Sequence, residues 1–211
     1  MNRAIASVLS ITAVSLAAGF VACSDGSGGS VDSGSGCKEP PTGLAVPMVR
    51  TESGTVAHWA LAPGCITVSF DPALSARAAD IQTALGAWSS VGCSRLCFAA
   101  LKSEVVAPGI GDRRLHFELQ DPPAPAPGTT SLTSVNIRKS DGVIVSARVT
   151  LSSTSGGVPE LVRLIGSALG LGNVPATTDS ALADRSVRVT PSASDAVTLC
   201  ALYGQPPLCS D

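Results

Sequence analysis

Residues 158–173 read V-P-E-L-V-R-L-I-G-S-A-L-G-L-G-N, and this stretch decides how the chain is expected to fold. Its apolar residues recur three and four positions apart, the spacing of an amphipathic helix: Leu161, Leu164, Ile165, Ala168 and Leu169. Pro159 is tolerated in a first helical turn, and Gly170 is a typical C-terminal stop. Taken alone, the stretch is better explained by a core helix that ends in a glycine cap.

Residues 163–173 resemble the zinc-binding helix of matrixin-type metzincins, a family of zinc metallopeptidases with the motif HExxHxxGxxH, often written HELGHALGLGH. Six positions hold the same residue as this motif: Gly166, Ala168, Leu169, Gly170, Leu171 and Gly172. In the motif, two histidines one helical turn apart and a third beyond the glycine hold zinc. The glutamate activates a zinc-bound water.

The four positions that carry chemistry in the motif hold other residues here. Arg163, Ser167 and Asn173 occupy the histidine positions, and Leu164 occupies the glutamate position. Arginine stays protonated and repels a cation, neutral serine and asparagine are weak zinc ligands, and leucine accepts no proton. The resemblance therefore implies a metzincin scaffold with neither a zinc site nor a catalytic base, and we expect no metal or other cofactor.

The segments that follow extend the resemblance. Residues 179–182, Asp-Ser-Ala-Leu, resemble the Met-turn of metzincins with Leu182 at the methionine position, and residues 195–204 are similar to the final matrixin helix. Together with the upstream elements, the resemblance covers residues 59–204. It implies a single α/β domain of metzincin fold, in which a twisted mixed sheet packs with a first helix, the degenerate zinc helix and a C-terminal helix.

Hydrophobic periodicity independently predicts the elements of an α/β domain. Residues 65–70, 114–119 and 132–151 alternate as strands, the last as a hairpin around the turn signal Ser140-Asp141-Gly142, while residues 75–90 and 192–204 have helical spacing. Four prolines between Asp121 and Gly128 predict an irregular loop.

The N-terminal residues have the pattern of an export and anchoring segment. Residues 1–22 combine one early cation with a long apolar run, as in a secretory signal peptide, and the Val-Ala-Cys sequence ending at Cys23 resembles a bacterial lipobox. Residues 23–36 then form a Gly/Ser tether after the lipidated cysteine, and residues 37–211 form the domain. The resemblance to bacterial lipoproteins implies that Ser24, the residue after the acylated cysteine, routes the protein to the outer membrane. Ordinary cleavage would instead give a secreted protein.

Six cysteines remain after Cys23: Cys37, Cys65, Cys93, Cys97, Cys200 and Cys209. An even number behind an export signal predicts disulfides, and six cysteines allow about 15 connectivities. We predict local pairs, Cys93 with Cys97 and Cys200 with Cys209.

Composition excludes several other classes of function. The formal net charge is −2 with no basic block, which argues against a nucleic-acid partner. The chain contains neither the G-x-S-x-G elbow of serine hydrolases nor a phosphate-binding glycine motif. His58 and His116, its two histidines, are not at ligand spacing, and a zinc site using both would need Glu118 or Glu160.

These observations favour an envelope lipoprotein whose domain has lost catalysis and binds an extended peptide or another envelope protein. A zinc metalloendopeptidase with a rearranged metal site is the alternative. A third possibility is an envelope protein that has inherited only a stable disulfide-braced fold.

Overall fold

A computed structural model describes residues 44–61, 64–106, 113–120, 131–152, 157–184 and 186–204, all within one compact unit, Gly34–Asp211. The predicted signal peptide, tether and proline-rich loop lie outside the described residues, as do Cys23, Cys37 and Cys209. Within the described ranges, no helix combines the length and the apolar character needed to cross a bilayer.

The fold is mixed α/β, with a five-stranded sheet in the order β2-β1-β3-β5-β4. Strands β1, β2, β3 and β5 pair in parallel, whereas β4 runs antiparallel to β5 at the edge of the sheet. The elements are β1 Thr67–Phe70, α1 Ala78–Ser89, β2 Lys102–Ser103, β3 Arg114–Leu119, β4 Leu132–Ile137, β5 Ile144–Leu151, α2 Val158–Ala168 and α3 Ala193–Tyr203.

The sequence patterns predicted most of these elements. The structure confirms the strands near 65–70 and 114–119, the hairpin and the two C-terminal helices. It also confirms the capping box of α3, in which the side chains of Ser192 and Asp195 each accept a hydrogen bond from the other residue's backbone N–H. The helix expected to start at residue 75 instead begins as a 3-10 helix, Pro72–Arg77, because Asp71 caps the Ala73 N–H at 2.8 Å. Strand β2 was missed because two residues are too few to show a period.

Helix α2 packs on β4 and β5, on the side of the sheet where the alternate strand residues are apolar, and α1 packs against α2. Fully buried members of this layer are Val68, Leu115, Phe117, Val149 and Leu151 from the strands and Ile81, Leu85, Leu161 and Ile165 from the helices. Because one face of each helix and one face of the sheet exclude water together, this layer is the main hydrophobic core.

Two aromatic side chains hold the C-terminal end of α2. The indole Nε1 of Trp59 donates to the Ala168 carbonyl at 2.9 Å, and the Tyr203 hydroxyl donates to the Leu169 carbonyl at 2.7 Å. The last carbonyls of a helix have no partner within it, so a buried helix end needs such donors. These contacts tie α2 to α3 and to residues 44–61, which precede β1 and are called the entry segment.

The disulfides correct the predicted local pairing. Cys65 bonds Cys97 and Cys93 bonds Cys200, with sequence separations of 32 and 107. The prediction of Cys93–Cys97 and Cys200–Cys209 was therefore wrong, because sequence proximity does not reveal that the loop after α1 lies between the start of β1 and the end of α3. Both bonds restrain this loop, and longer closed loops constrain the unfolded chain more.

Gly166 allows α2 to approach α1 closely. A Cβ at this position would lie 2.5 Å from Cδ2 of Leu182 and 2.6 Å from the ring of Trp88, both of which are fully buried. Gly86 in α1 provides a contrast, since a Cβ there would meet nothing within 4 Å.

We therefore expect opposite effects from alanine at these two glycines. Gly166→Ala should lower the free energy of unfolding by about 1–3 kcal/mol through overpacking. Gly86→Ala should raise it by about 0.5–1 kcal/mol, because alanine is the better helix former. Urea unfolding followed by circular dichroism measures both, and a neutral or stabilising Gly166→Ala would contradict the close packing of α1 and α2.

Candidate functional site

Helix α2 is buried on most sides and accessible along one narrow stripe. Six of its residues from Leu161 to Ala168 are buried. Glu160, Arg163 and Ser167 are partly exposed. These three residues are spaced by three and four, so they lie on one face of the helix. Two of the three positions that correspond to zinc ligands are therefore on the accessible side of α2.

The turn after α2 brings the third position toward this stripe. The Ser167 hydroxyl lies 3.2 Å from Oδ1 of Asn173 and 3.3 Å from the carbonyl of Arg163. Gly170 makes this return possible, because its φ of +87° is in the left-handed region and a Cβ would lie 2.4 Å from the Ala57 carbonyl oxygen. Ser167 and Asn173 thus converge, while Arg163 shares the helix face of Ser167.

The other two predicted positions lie in the core. Leu164, at the expected base position, is only 2% exposed, and its carbonyl accepts a hydrogen bond from the Thr133 hydroxyl at 3.1 Å. Leu182 is fully buried and packs against Gly166 beneath α2. A side chain at position 164 therefore belongs to the hydrophobic layer rather than to the accessible stripe.

A buried carboxylate holds the turn that contains Leu182. Asp195 is fully buried and accepts hydrogen bonds from the Ala181 N–H and the Ser192 N–H, each at 2.7 Å, and from the Ser180 hydroxyl. Because a buried carboxylate requires several donors, this cluster fixes the turn to the first turn of α3.

The two histidines do not meet. His58 donates from Nδ1 to the Val56 carbonyl at 3.1 Å, whereas the His116 Nδ1 shares a hydrogen bond of 2.9 Å with the Ser69 hydroxyl across β1 and β3. Both rings are buried. Among the described residues no group of three His, Cys, Asp or Glu side chains could hold a metal ion. The donor set Arg163, Ser167 and Asn173 does not fit zinc either, because it offers a cation and two neutral oxygens.

The sheet face opposite the helices is polar and internally bonded. Arg148 pairs with Glu118 at 2.7 Å, and Glu118 also accepts from the Thr150 hydroxyl at 2.9 Å. Burial lowers the pKa of His116, which lies in the same layer; Arg148 and Arg114 also lower it, while Glu118 and Asp71 oppose the shift.

The edge strand β4 has main-chain groups that point away from the sheet. The carbonyls of Val145 and Leu151 accept hydrogen bonds from residues 113 and 120, which flank β3. The main-chain N–H and C=O groups of the odd-numbered residues of β5 therefore point to β3, and those of the even-numbered residues point to β4. On β4, the residues opposite these even-numbered residues include Leu132 and Ser134, so the main-chain groups of Leu132 and Ser134 bond β5. The N–H and C=O groups of Thr133 and Val135 therefore point outward, and no described residue bonds to them.

A cleft with a volume of about 590 Å³ lies beside the C-terminal half of β4. Val135 and Ile137 form one wall, and the lining also includes Arg50, Glu52 and Lys139. Sequence reasoning missed this cleft because the entry segment has no periodicity. Its position depends on long-range pairing such as the bridge between Met48 and Leu171.

Comparison with models of known protein families finds no match, and neither does comparison with curated protein sequences. These comparisons do not test the resemblance to metzincins.

His116 predicts a pH dependence of stability. Its pKa is lowered from the ordinary value of 6.5, so the unfolded chain binds the proton more tightly than the folded chain. Stability should therefore fall as the pH drops below about 6.5 and should be insensitive to this group above that value. Urea unfolding at pH 7.5 and 5.5 should show a smaller loss for His116→Gln than for the wild type, whereas equal losses would contradict the assignment.

Grafting histidines tests the geometry of the converging positions. The triple variant Arg163→His, Ser167→His, Asn173→His should bind zinc at least about tenfold more tightly than Arg163→His alone, because three imidazoles would share one space. Competition with a chromophoric zinc indicator measures the affinity. A folded triple variant that binds no better than the single variant would show that the three side chains diverge.

Proposed function

We propose that this protein is an exported envelope lipoprotein whose matrixin-like domain is catalytically inactive and binds an extended peptide along β4. The carrying observation is the outward-pointing main chain of Thr133 and Val135 beside a cleft of about 590 Å³. An extended peptide can add to such an edge through main-chain hydrogen bonds, which require no metal.

The metzincin relationship is supported by the position of the accessible stripe. The convergence of Ser167 with Asn173, the left-handed Gly170 and the packing of Leu182 beneath Gly166 are all expected of a zinc helix and its Met-turn. Catalytic inactivity is supported by the residues at the ligand positions and by the burial of Leu164 in the core. Neither the stripe residues nor Leu164 can activate a water molecule as the zinc and the glutamate of a metallopeptidase do.

Membrane anchoring is proposed through acylation of Cys23. We expect the wild-type protein to partition into the detergent phase of a cloud-point extraction and Cys23→Ser to move to the aqueous phase. Ser24→Ala is the matched control, because it alters the neighbouring residue and leaves the thiol. Unchanged partitioning of Cys23→Ser would refute the anchor and favour a secreted protein.

Blocking one N–H of β4 tests the proposed binding mode. Val135→Pro removes an outward N–H, and proline is tolerated at such positions of an edge strand. Peptides selected from a random phage-displayed library on the wild-type protein should lose at least about tenfold in affinity for this variant, as measured by fluorescence anisotropy.

The matched control is Val135→Ala, which keeps the N–H and removes two methyl groups. It should retain binding within about threefold, and circular dichroism should show that both variants are folded. If selected peptides bind a folded Val135→Pro variant as tightly as the wild type, strand addition to β4 is excluded.

A further inference from the structure

The accessible stripe of α2 contains a cation, Arg163, that forms no ion pair with another described residue. The five ion pairs found in the described ranges do not include Arg163. Glu160, which lies one turn earlier on the same face, forms none of these pairs either. A partly exposed guanidinium has five N–H donors in a planar fork that matches a carboxylate.

Asn173 adds a second set of donors at the Ser167 end of the same stripe. Because its Oδ1 lies 3.2 Å from the Ser167 hydroxyl, the amide oxygen is directed to the helix and the NH₂ group is left for another partner. None of the residues that the structure describes accepts a hydrogen bond from this NH₂ group. Asn173 itself is exposed, so a ligand can reach it.

The strand that borders α2 connects this cluster with the cleft. The Thr133 hydroxyl bonds the carbonyl of Leu164, the residue after Arg163, while Val135 and Ile137 line the cleft further along β4. Arg50 and Lys139 also line the cleft, opposed by one carboxylate, Glu52. With Arg163 and Glu160 of the stripe included, the lining and the stripe hold three cations and two carboxylates, whereas the whole chain has a formal net charge of −2.

We propose that Arg163 and the amide of Asn173 bind a carboxylate of the extended peptide, so that the positions corresponding to zinc ligands form an anion site. This inference rests on the proposed peptide-binding function and specifies the chemistry of the ligand. The guanidinium provides paired charge-assisted hydrogen bonds, and Asn173 directs a further N–H to the same group. The carboxylate comes from an acidic side chain or from a peptide C-terminus.

Three decapeptides labelled with dansyl, a fluorophore that has no carboxylate, distinguish these sources of the carboxylate. One alternates Thr and Glu and has an amidated C-terminus, the second replaces every Glu with Gln, and the third is the Gln peptide with a free C-terminal carboxylate. The full chain should bind the Glu peptide, the free-acid peptide or both about tenfold more tightly than the amidated Gln peptide, by anisotropy in 50 mM salt.

Arg163→Gln is the test variant, since glutamine is a good helix former and keeps a long side chain on the stripe. It should abolish the preference for the carboxylate-containing peptides. Arg95→Gln is the control for net charge, because Arg95 is exposed in the loop after α1 and makes none of the ion pairs found among the described residues. This variant should keep the preference within about twofold.

The outcomes separate this inference from the proposed function. A carboxylate preference that survives Arg163→Gln overturns the anion site. Equal binding of all three peptides, lost in Val135→Pro, also overturns the anion site while leaving strand addition intact. If the full chain binds none of the three peptides and no library peptide, both the anion site and strand addition to β4 are overturned.

Discussion

The C-terminal end of α2 is the constraint on which the rest of the structure depends. Three buried groups meet there: the indole of Trp59, the hydroxyl of Tyr203 and the left-handed backbone of Gly170. Burial raises the pKa of Tyr203 far above its ordinary value of 10.0, so the phenol stays protonated and donates to the Leu169 carbonyl. A helix end without these donors would bury unsatisfied carbonyls, at about 1–3 kcal/mol each.

This constraint also shapes the accessible stripe. Because the helix end is fixed and Gly170 reverses the chain, Asn173 returns to Ser167 rather than continuing away from the helix. The same turn places Gly172 so that its N–H donates to the Pro47 carbonyl at 2.7 Å, which holds the entry segment beside the stripe. The local glycines therefore determine which side chains meet, whereas the side chains at those positions determine the chemistry.

The division of the sheet into two faces determines where a ligand can bind. The apolar face is occupied by α1 and α2, and on the polar face the side chains of β3 and β5 already bond one another, as Arg148 does with Glu118. The outward main chain of Thr133 and Val135 has no such partner within the described ranges. Edge strands with free main-chain groups tend to pair with another chain, which is why β4 is central to the proposed function.

The sequence alone predicted the parts of the fold that depend on local order. Alternation in β3 and β5, the Asp141-Gly142 turn and the capping box of α3 all appear as expected, because each depends on neighbouring residues. Long-range features were missed: Cys93 pairs with a residue 107 positions away, and the cleft depends on an entry segment with no period. The burial of Leu164 agrees with the amphipathic spacing of this helix, in which Leu164 is one of the apolar residues.

The central proposal is that the domain has the architecture of a metallopeptidase without its metal. Metal analysis by mass spectrometry of the purified, disulfide-intact full chain after exposure to zinc and gel filtration tests this most directly. The account predicts substoichiometric zinc, below about 0.1 ion per chain, and a thermal midpoint that chelation leaves unchanged, because no ligand bound to the folded state is removed. One zinc ion per chain, with a midpoint that falls on chelation, would contradict it.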